Sequence, residues 1–271
     1  MPALSELHEP VHISRPDIER FQEDGFIHLK HVFSARTLAN VEAAITAEVR
    51  SRMSPISDSQ EASTYQKAFT QVMNLWTLNE VVKEFVFSRR VASAAAQLLQ
   101  VDGIRLYHDQ ALYKEKSGGY TPWHADQFYW PLASDRAVTA WIPLQDTPID
   151  MGPLVFCAKS QAFTGGRDLP ISDESEARLD ALLREQAFEI VEEPFSLGDV
   201  SFHLGWTYHR AGPNTSGIAR KVMTMIYMDA EMRLKHPEND SQHEDWRSWC
   251  PGAVPGEPIR TPLNPVVYSR T

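Results

Sequence analysis

The chain has 271 residues, 42% hydrophobic and 23% charged, a balance ordinary for a soluble globular protein and long enough to bury a sizeable core. Its net charge of −10 and pI of about 5.5 argue against nucleic acid or an anionic membrane as the main partner. Two cysteines make no disulfide framework, no apolar run reaches the roughly 18 residues of a membrane span, and the N-terminus lacks a basic and apolar leader; a cytoplasmic protein is expected.

In chain order, residues 1–13 read as a loose tail. Ser14-Arg15-Pro16-Asp17 reads as a helix start, with a capping Ser and an acid three residues later. Ile18 and Phe21 give that helix a buried face, and Gly25 can end it. Phe26-Ile27-His28-Leu29 is strand-like, with His28 a structural or surface residue. A second helix begins near Ser34, where Leu38, Val41, Ile45 and Val49 fall at helical spacing. The polar stretch from Ser51 to Ser63 reads as a loop that could serve as a lid. The run from Phe69 to Trp76 is either core packing around a hydrogen-bonded Gln71 or a segment near a site. Asn79 can cap a helix running towards Phe87, and the Ala-rich stretch from Arg89 to Leu99 suits another.

From Ile104 the pattern takes the period of strands. Ile104 to Tyr113 and Ala137 to Leu144 are strand-like, and Asp150-Met151-Gly152-Pro153 turns into Leu154-Val155-Phe156. A helix from about Asp173 to Gln186 is expected as a surface insertion between sheet strands. Phe188 to Glu192 is a further strand, and Gly198-Asp199 turns into another. After Asp229 the chain turns irregular. Pro251, Pro255, Pro258, Pro262 and Pro265 exclude a helix or central strand from the final run. Residues 240–271 are therefore expected as an extended cover anchored by Trp246 and Trp249, closing a single domain over 1–271.

The chemistry-bearing stretch is Trp123-His124-Ala125-Asp126. On a strand, residues two apart share a face, so His124 and Asp126 project together. They supply two members of a two-histidine, one-carboxylate facial triad, the ligand set of non-haem Fe(II) oxygenases. A second segment, His209 to Arg220, would complete the site. Turn residues Gly212-Pro213-Asn214-Thr215-Ser216-Gly217 lie between two strand-like runs. A hairpin centred on Asn214 and Thr215 would set His209 opposite Arg220, with Cβ atoms about 5 Å apart. A buried guanidinium needs an anionic partner, and a carboxylate ligand fits its fork. His203 rivals His209 but does not oppose Arg220 in such a hairpin. His108-Asp109 is a weaker rival, because adjacent strand residues face opposite ways.

The W-H-x-D motif at 123–126, the aromatic run Phe128-Tyr129-Trp130-Pro131, Ala140-Trp141, and the later His209…Gly212-Pro213-Asn214…Arg220 resemble the phytanoyl-CoA dioxygenase family. The resemblance runs from about Ile18 to Tyr227. It implies a mainly β fold with flanking α-helices around a double-stranded β-helix, or jelly-roll, core. It also implies an Fe(II)- and 2-oxoglutarate-dependent oxygenase consuming O2, with ascorbate as an expected stimulant. In that reading His124, Asp126 and His209 bind iron, and relatives carry the second histidine at the later position rather than at His203. Arg220 holds the distal carboxylate of 2-oxoglutarate, Trp141 lines its pocket, and Gln110 or Leu112 does likewise. Related halogenases replace the ligand carboxylate, so Asp126 implies hydroxylation, desaturation or ring formation instead. The chain departs from the family at Cys157-Ala158-Lys159-Ser160-Gln161, where relatives carry Pro-Gly-Ser-His, a change expected to alter a loop near the substrate.

The aromatic residues around His124 suit a small apolar or ring-bearing substrate, and the absence of a basic cluster disfavours coenzyme A. A monomer or homodimer is expected. The alternatives are a cupin-like metal-dependent isomerase or lyase, which has no need of Arg220, a silent binding protein of the same fold, and a taurine-dioxygenase-like member of the same superfamily.

Overall fold

In the computed structural model, which describes residues 4–52, 70–116 and 118–270, two antiparallel sheets face each other. The larger contains β1 (Phe26–Leu29), β8 (Val200–Leu204), β5 (Ala137–Pro143), β10 (Arg220–Asp229), β3 (Gly103–Lys114) and β11 (Val266–Ser269), in that order. A seventh strand, β2 (Thr70–Met73), also pairs with β3. The smaller sheet runs β4 (Thr121–His124), β9 (His209–Ala211), β6 (Leu154–Cys157) and β7 (Ile190–Glu192). The expected mainly β, jelly-roll core is the observed one.

Alternation along β10 explains the layering. Met223, Met225 and Tyr227 belong to the large core beneath the helices, whereas Arg220, Val222, Thr224 and Ile226 turn the other way, towards the space between the sheets. Register extends this inner face sideways. Thr224 pairs with Gln110 on one side and Trp141 on the other, and Val222 pairs with Leu112.

Four helices back the larger sheet: α1 (Arg15–Asp24), α2 (Ala35–Arg52), α3 (Glu80–Val86) and α4 (Arg89–Leu99). Their ends follow the sequence signals. Ser14 accepts from the Asp17 backbone at the start of α1, and Gly25 ends that helix at φ 82°, a left-handed conformation that glycine adopts freely. Asn79 caps α3 by accepting from the Val81 and Val82 amides. The proposed lid, 51–63, falls mostly outside the described residues; α2 continues through its first two positions.

Three expectations change. Residues 4–13 are pinned rather than loose: Leu7 is fully buried, Ser88 donates to its carbonyl, and the Ile13 amide donates to Gln97 on α4. The stretch after Asp229 is less irregular than its prolines suggest. It contains α6 (Asp240–Trp249), capped by Asn239, and β11, which pairs at the edge of β3. The helix ends before the first proline of the run, and an edge strand tolerates flanking prolines. Finally, α5 (Asp173–Glu185) is a structural layer of the smaller sheet. Leu179 and Leu183 are buried with Trp123, Val155 and Tyr208.

Candidate active site

β4 ends at His124, and Asp126 opens a single 3-10 turn (Asp126–Phe128) rather than continuing the strand. The chain bends, yet both side chains point inward. β9 pairs with β4 so that His209 lies directly opposite His124. One donor atom from each of His124, Asp126 and His209 lies within 4.8 Å of the others.

Backbone carbonyls set the imidazoles. The Nδ1 of His124 lies 2.7 Å from the Pro122 carbonyl and that of His209 lies 2.9 Å from the Thr207 carbonyl. Each Nδ1–H donates there, so each Nε2 lone pair faces the site. Burial pushes both imidazoles down to about 4, with each lowered further by a neighbouring histidine. They are therefore neutral near pH 7, as metal ligands must be.

Asp126 divides its two oxygens between tasks. Oδ1 lies 3.7 Å from Nε2 of both His124 and His209. Oδ2 accepts from the Thr139 hydroxyl at 2.8 Å and lies 3.2 Å from Nε2 of His203. Burial alone would raise this carboxyl, but His209, His203 and His124 hold it well below the usual carboxylate range. His203 is thus a hydrogen-bond partner of the carboxylate and lies outside the three-donor group. His108 and Asp109 also lie outside it. Asp109 faces the helix side and accepts from the Leu75 amide at 2.9 Å.

The expected hairpin does not form. His209 is on the smaller sheet and Arg220 on the larger, so the two confront each other across the barrel. Both line one inner cavity with Gln110, Leu112, Trp141 and Thr121. The loop between them crosses from sheet to sheet, held by Asn214, whose side chain donates to the Lys114, Glu115 and Ile218 carbonyls.

Arg220 is 2% exposed and has no carboxylate in ion-pair range among the described residues. Its Nη1 donates to the Gly152 carbonyl, while its Nε is buried without a partner. Gly152 sits at φ 69°, where a Cβ would strike the Gly212 carbonyl, so glycine alone fits there. The Trp141 ring lies 5.6 Å from the guanidinium carbon, and its indole N–H is likewise buried and unpartnered. Burial lowers the Arg220 pKa to about 10, which leaves it cationic at neutral pH. An uncompensated buried cation beside two orphaned donors is costly unless an anion fills the cavity.

A model of the phytanoyl-CoA dioxygenase family matches residues 21–222, about three quarters of the chain. The chain belongs to the phytanoyl-CoA dioxygenase family. As such it is a 2-oxoglutarate-dependent dioxygenase with iron as its metal. It is 23% identical over 226 residues to a probable alpha-ketoglutarate-dependent hypophosphite dioxygenase of Stutzerimonas stutzeri, covering 78% of this chain and 77% of the relative. It is 26% identical over 255 residues to the ectoine dioxygenase of Bordetella parapertussis, covering 83% and 79%. In fold it is similar to the non-heme alpha ketoglutarate dependent carbocyclase SnoK of nogalamycin biosynthesis, with a TM-score of 0.78, 24% identity and coverage of 96% and 100%. It is likewise similar to EctD from S. alaskensis solved with 2-oxoglutarate and 5-hydroxyectoine, with a TM-score of 0.71, 22% identity and coverage of 97% and 93%. No helix among the described residues is long and apolar enough to cross a membrane.

At 157–161, where the chain departs from the family pattern, Ser160 accepts from the amide of Tyr208, the neighbour of His209, and the Cys157 amide donates to the Tyr208 carbonyl. Ser160 donates to the Cys157 carbonyl, Lys159 pairs with Glu23 on α1, and none of the five residues lines the cavities described.

A second, outer cavity opens on the other side of His124 and Asp126 and is lined by Gln71, Met73, Tyr129, Trp130 and Ile226, among others. Gln71 donates to Gln110, which lines both cavities. Half of the aromatic run thus faces this space, while Trp123 packs beneath α5 with Arg210 over its ring. Sequence reasoning missed Thr139, and it missed Asp245 on α6, which also reaches the outer cavity. Only register could have found Thr139, and no local signal marks Asp245.

Proposed function

We propose that His124, Asp126 and His209 hold iron(II), and that Arg220 and Trp141, with Gln110 and Leu112 beside them, hold 2-oxoglutarate. The enzyme then hydroxylates, or desaturates or cyclises, an unactivated C–H bond of a small ring-bearing metabolite. The observation that carries this reading is a three-donor cluster that shares one cavity with a buried arginine that has no counter-ion among the described residues. A cupin-like isomerase or lyase has no use for that cation.

When bound, iron and 2-oxoglutarate supply the oxidising power that breaks the C–H bond. The chain's own residues do the rest. Two neutral imidazoles and one carboxylate would hold the metal, a donor set that leaves positions for further ligands. Thr139 and His203 keep Oδ2 of Asp126 occupied, so Oδ1 stays turned to the metal. Arg220 offers its free Nε–H, and Trp141 its free indole N–H, to the far carboxylate of the co-substrate. The outer cavity, which His124 and Asp126 also line, would seat the substrate.

The direct test is anaerobic titration of the apo protein with Fe(II) and then 2-oxoglutarate, following the visible metal-to-ligand charge-transfer band. The wild type develops the band, His209→Ala loses it, and Arg220→Ala needs much more 2-oxoglutarate to reach it. Iron that binds without any band on adding 2-oxoglutarate would overturn the reading.

A further inference from the structure

The charge of the outer cavity is one-sided. Among the described residues that line it there is no lysine or arginine. Apart from the metal ligands, its ionisable groups are His108, Tyr129 and Asp245. Burial pushes His108 down to about 4 and Tyr129 up to about 12, so both are uncharged at neutral pH. Asp245 is left as the only source of formal charge, and that charge is negative.

Asp245 has no cationic partner in ion-pair range among the described residues. Its Oδ2 accepts from the Tyr107 hydroxyl at 3.0 Å, a neutral donor. Tyr129, Trp130 and Trp249 line the same cavity, and the Trp249 side chain is a second neutral hydrogen-bond donor to the Asp245 carboxylate. Trp249 lies 4.9 Å from the His108 ring, and the His108 Nδ1 is buried with no partner. A half-buried carboxylate held only by neutral donors and flanked by aromatic residues is poor company for an anion and good company for a cation.

We propose that this cavity selects a substrate bearing a protonated amine or amidine, seated against Asp245 among the Tyr129, Trp130 and Trp249 rings, with His108 taking a further hydrogen bond. This rests on the iron and 2-oxoglutarate reading above and deepens it by naming the substrate class. Anionic substrates such as acyl-coenzyme A or oxyanions are disfavoured, because nothing described in the cavity would pair with them. Burial raises the Asp245 carboxyl to about 7, so its hold on a cation strengthens as pH rises through neutrality.

The test uses three ring probes of similar size: piperidine (a cation at neutral pH), cyclohexanol and cyclohexanecarboxylate. Each is titrated into the anaerobic iron- and 2-oxoglutarate-loaded protein, and binding is read by tryptophan fluorescence and by perturbation of the charge-transfer band. Piperidinium should bind about tenfold tighter than cyclohexanol at pH 8, with the carboxylate weakest. That preference should shrink as pH falls to 6. Asp245→Asn should abolish it while leaving the charge-transfer band at full intensity. Equal or tighter binding of cyclohexanecarboxylate in the wild type overturns the proposal whatever the variant does, as does an Asp245→Asn protein that keeps the preference for piperidinium. A wild type with no charge-transfer band overturns the iron and 2-oxoglutarate reading instead, and the fluorescence ranking of the three probes still decides this one.

Discussion

Thr139 donates to Oδ2 of Asp126 and so leaves Oδ1 turned towards the His124 and His209 imidazoles. Thr139→Val keeps the shape and removes the donor. Iron affinity should fall by about ten- to a hundredfold, measured by competition with a chelator, and an unchanged affinity would remove Thr139 from the positioning role. Lys114 gives a second test at this scale. Its side chain is fully buried beside Arg220, its Nζ donates to the Gly212 carbonyl at 2.8 Å, and burial, then Arg220, push its pKa down to about 6. Between about pH 6 and its unfolded value the unfolded chain binds this proton and the folded chain does not, so the lysine's penalty shrinks as pH rises. Lys114→Met should therefore raise the Tm of the apo protein most near pH 6 and progressively less towards pH 9. A Tm difference that stays flat with pH would contradict that.

At the scale of elements, α5 fastens the metal-bearing sheet. Glu176 accepts from the Trp123 amide and from Arg210, each at 2.7 Å, bracketing the strands that carry His124 and His209. Leu179→Ala at the buried centre of the same helix should cost about 2–5 kcal/mol in urea unfolding, and iron affinity should fall with it. Loss of stability with unchanged iron affinity would mean that the sheet holds its ligands without the helix. The sequence showed a helix from about Asp173 to Gln186, but not which face of the barrel it would cover. The same limit explains the hairpin. His209, Arg220 and the turn residues between them were legible, because local chemistry sets those residue types. Which sheet each strand joined was not, because pairing partners far along the chain decide it. The 3-10 turn at Asp126 was likewise hidden behind an apparent strand alternation.

At the scale of the whole molecule, the C-terminal segment is built into the fold. Asn264 donates to the Leu106 and Tyr107 carbonyls, and its own carbonyl accepts from Arg105 on β3. Tyr107 in turn donates to Asp245 on α6. Asn264→Ala should destabilise the protein by about 1–3 kcal/mol, seen as a lower urea midpoint, because buried carbonyls lose their donors. A silent substitution would reduce the segment to a detachable covering. These bonds place α6 against β3, and so place Asp245 and Trp249 over the outer cavity.

The stretch that matches the family ends at residue 222, and both of those side chains come after it. Gln71, Met73, His108, Tyr129, Trp130 and Ile171 of the same cavity lie within that stretch, so on the proposal above only part of the choice of substrate is carried beyond it. Exchanging the segment beyond Asp229 between relatives should shift the ranking of bound ring probes while the charge-transfer band persists.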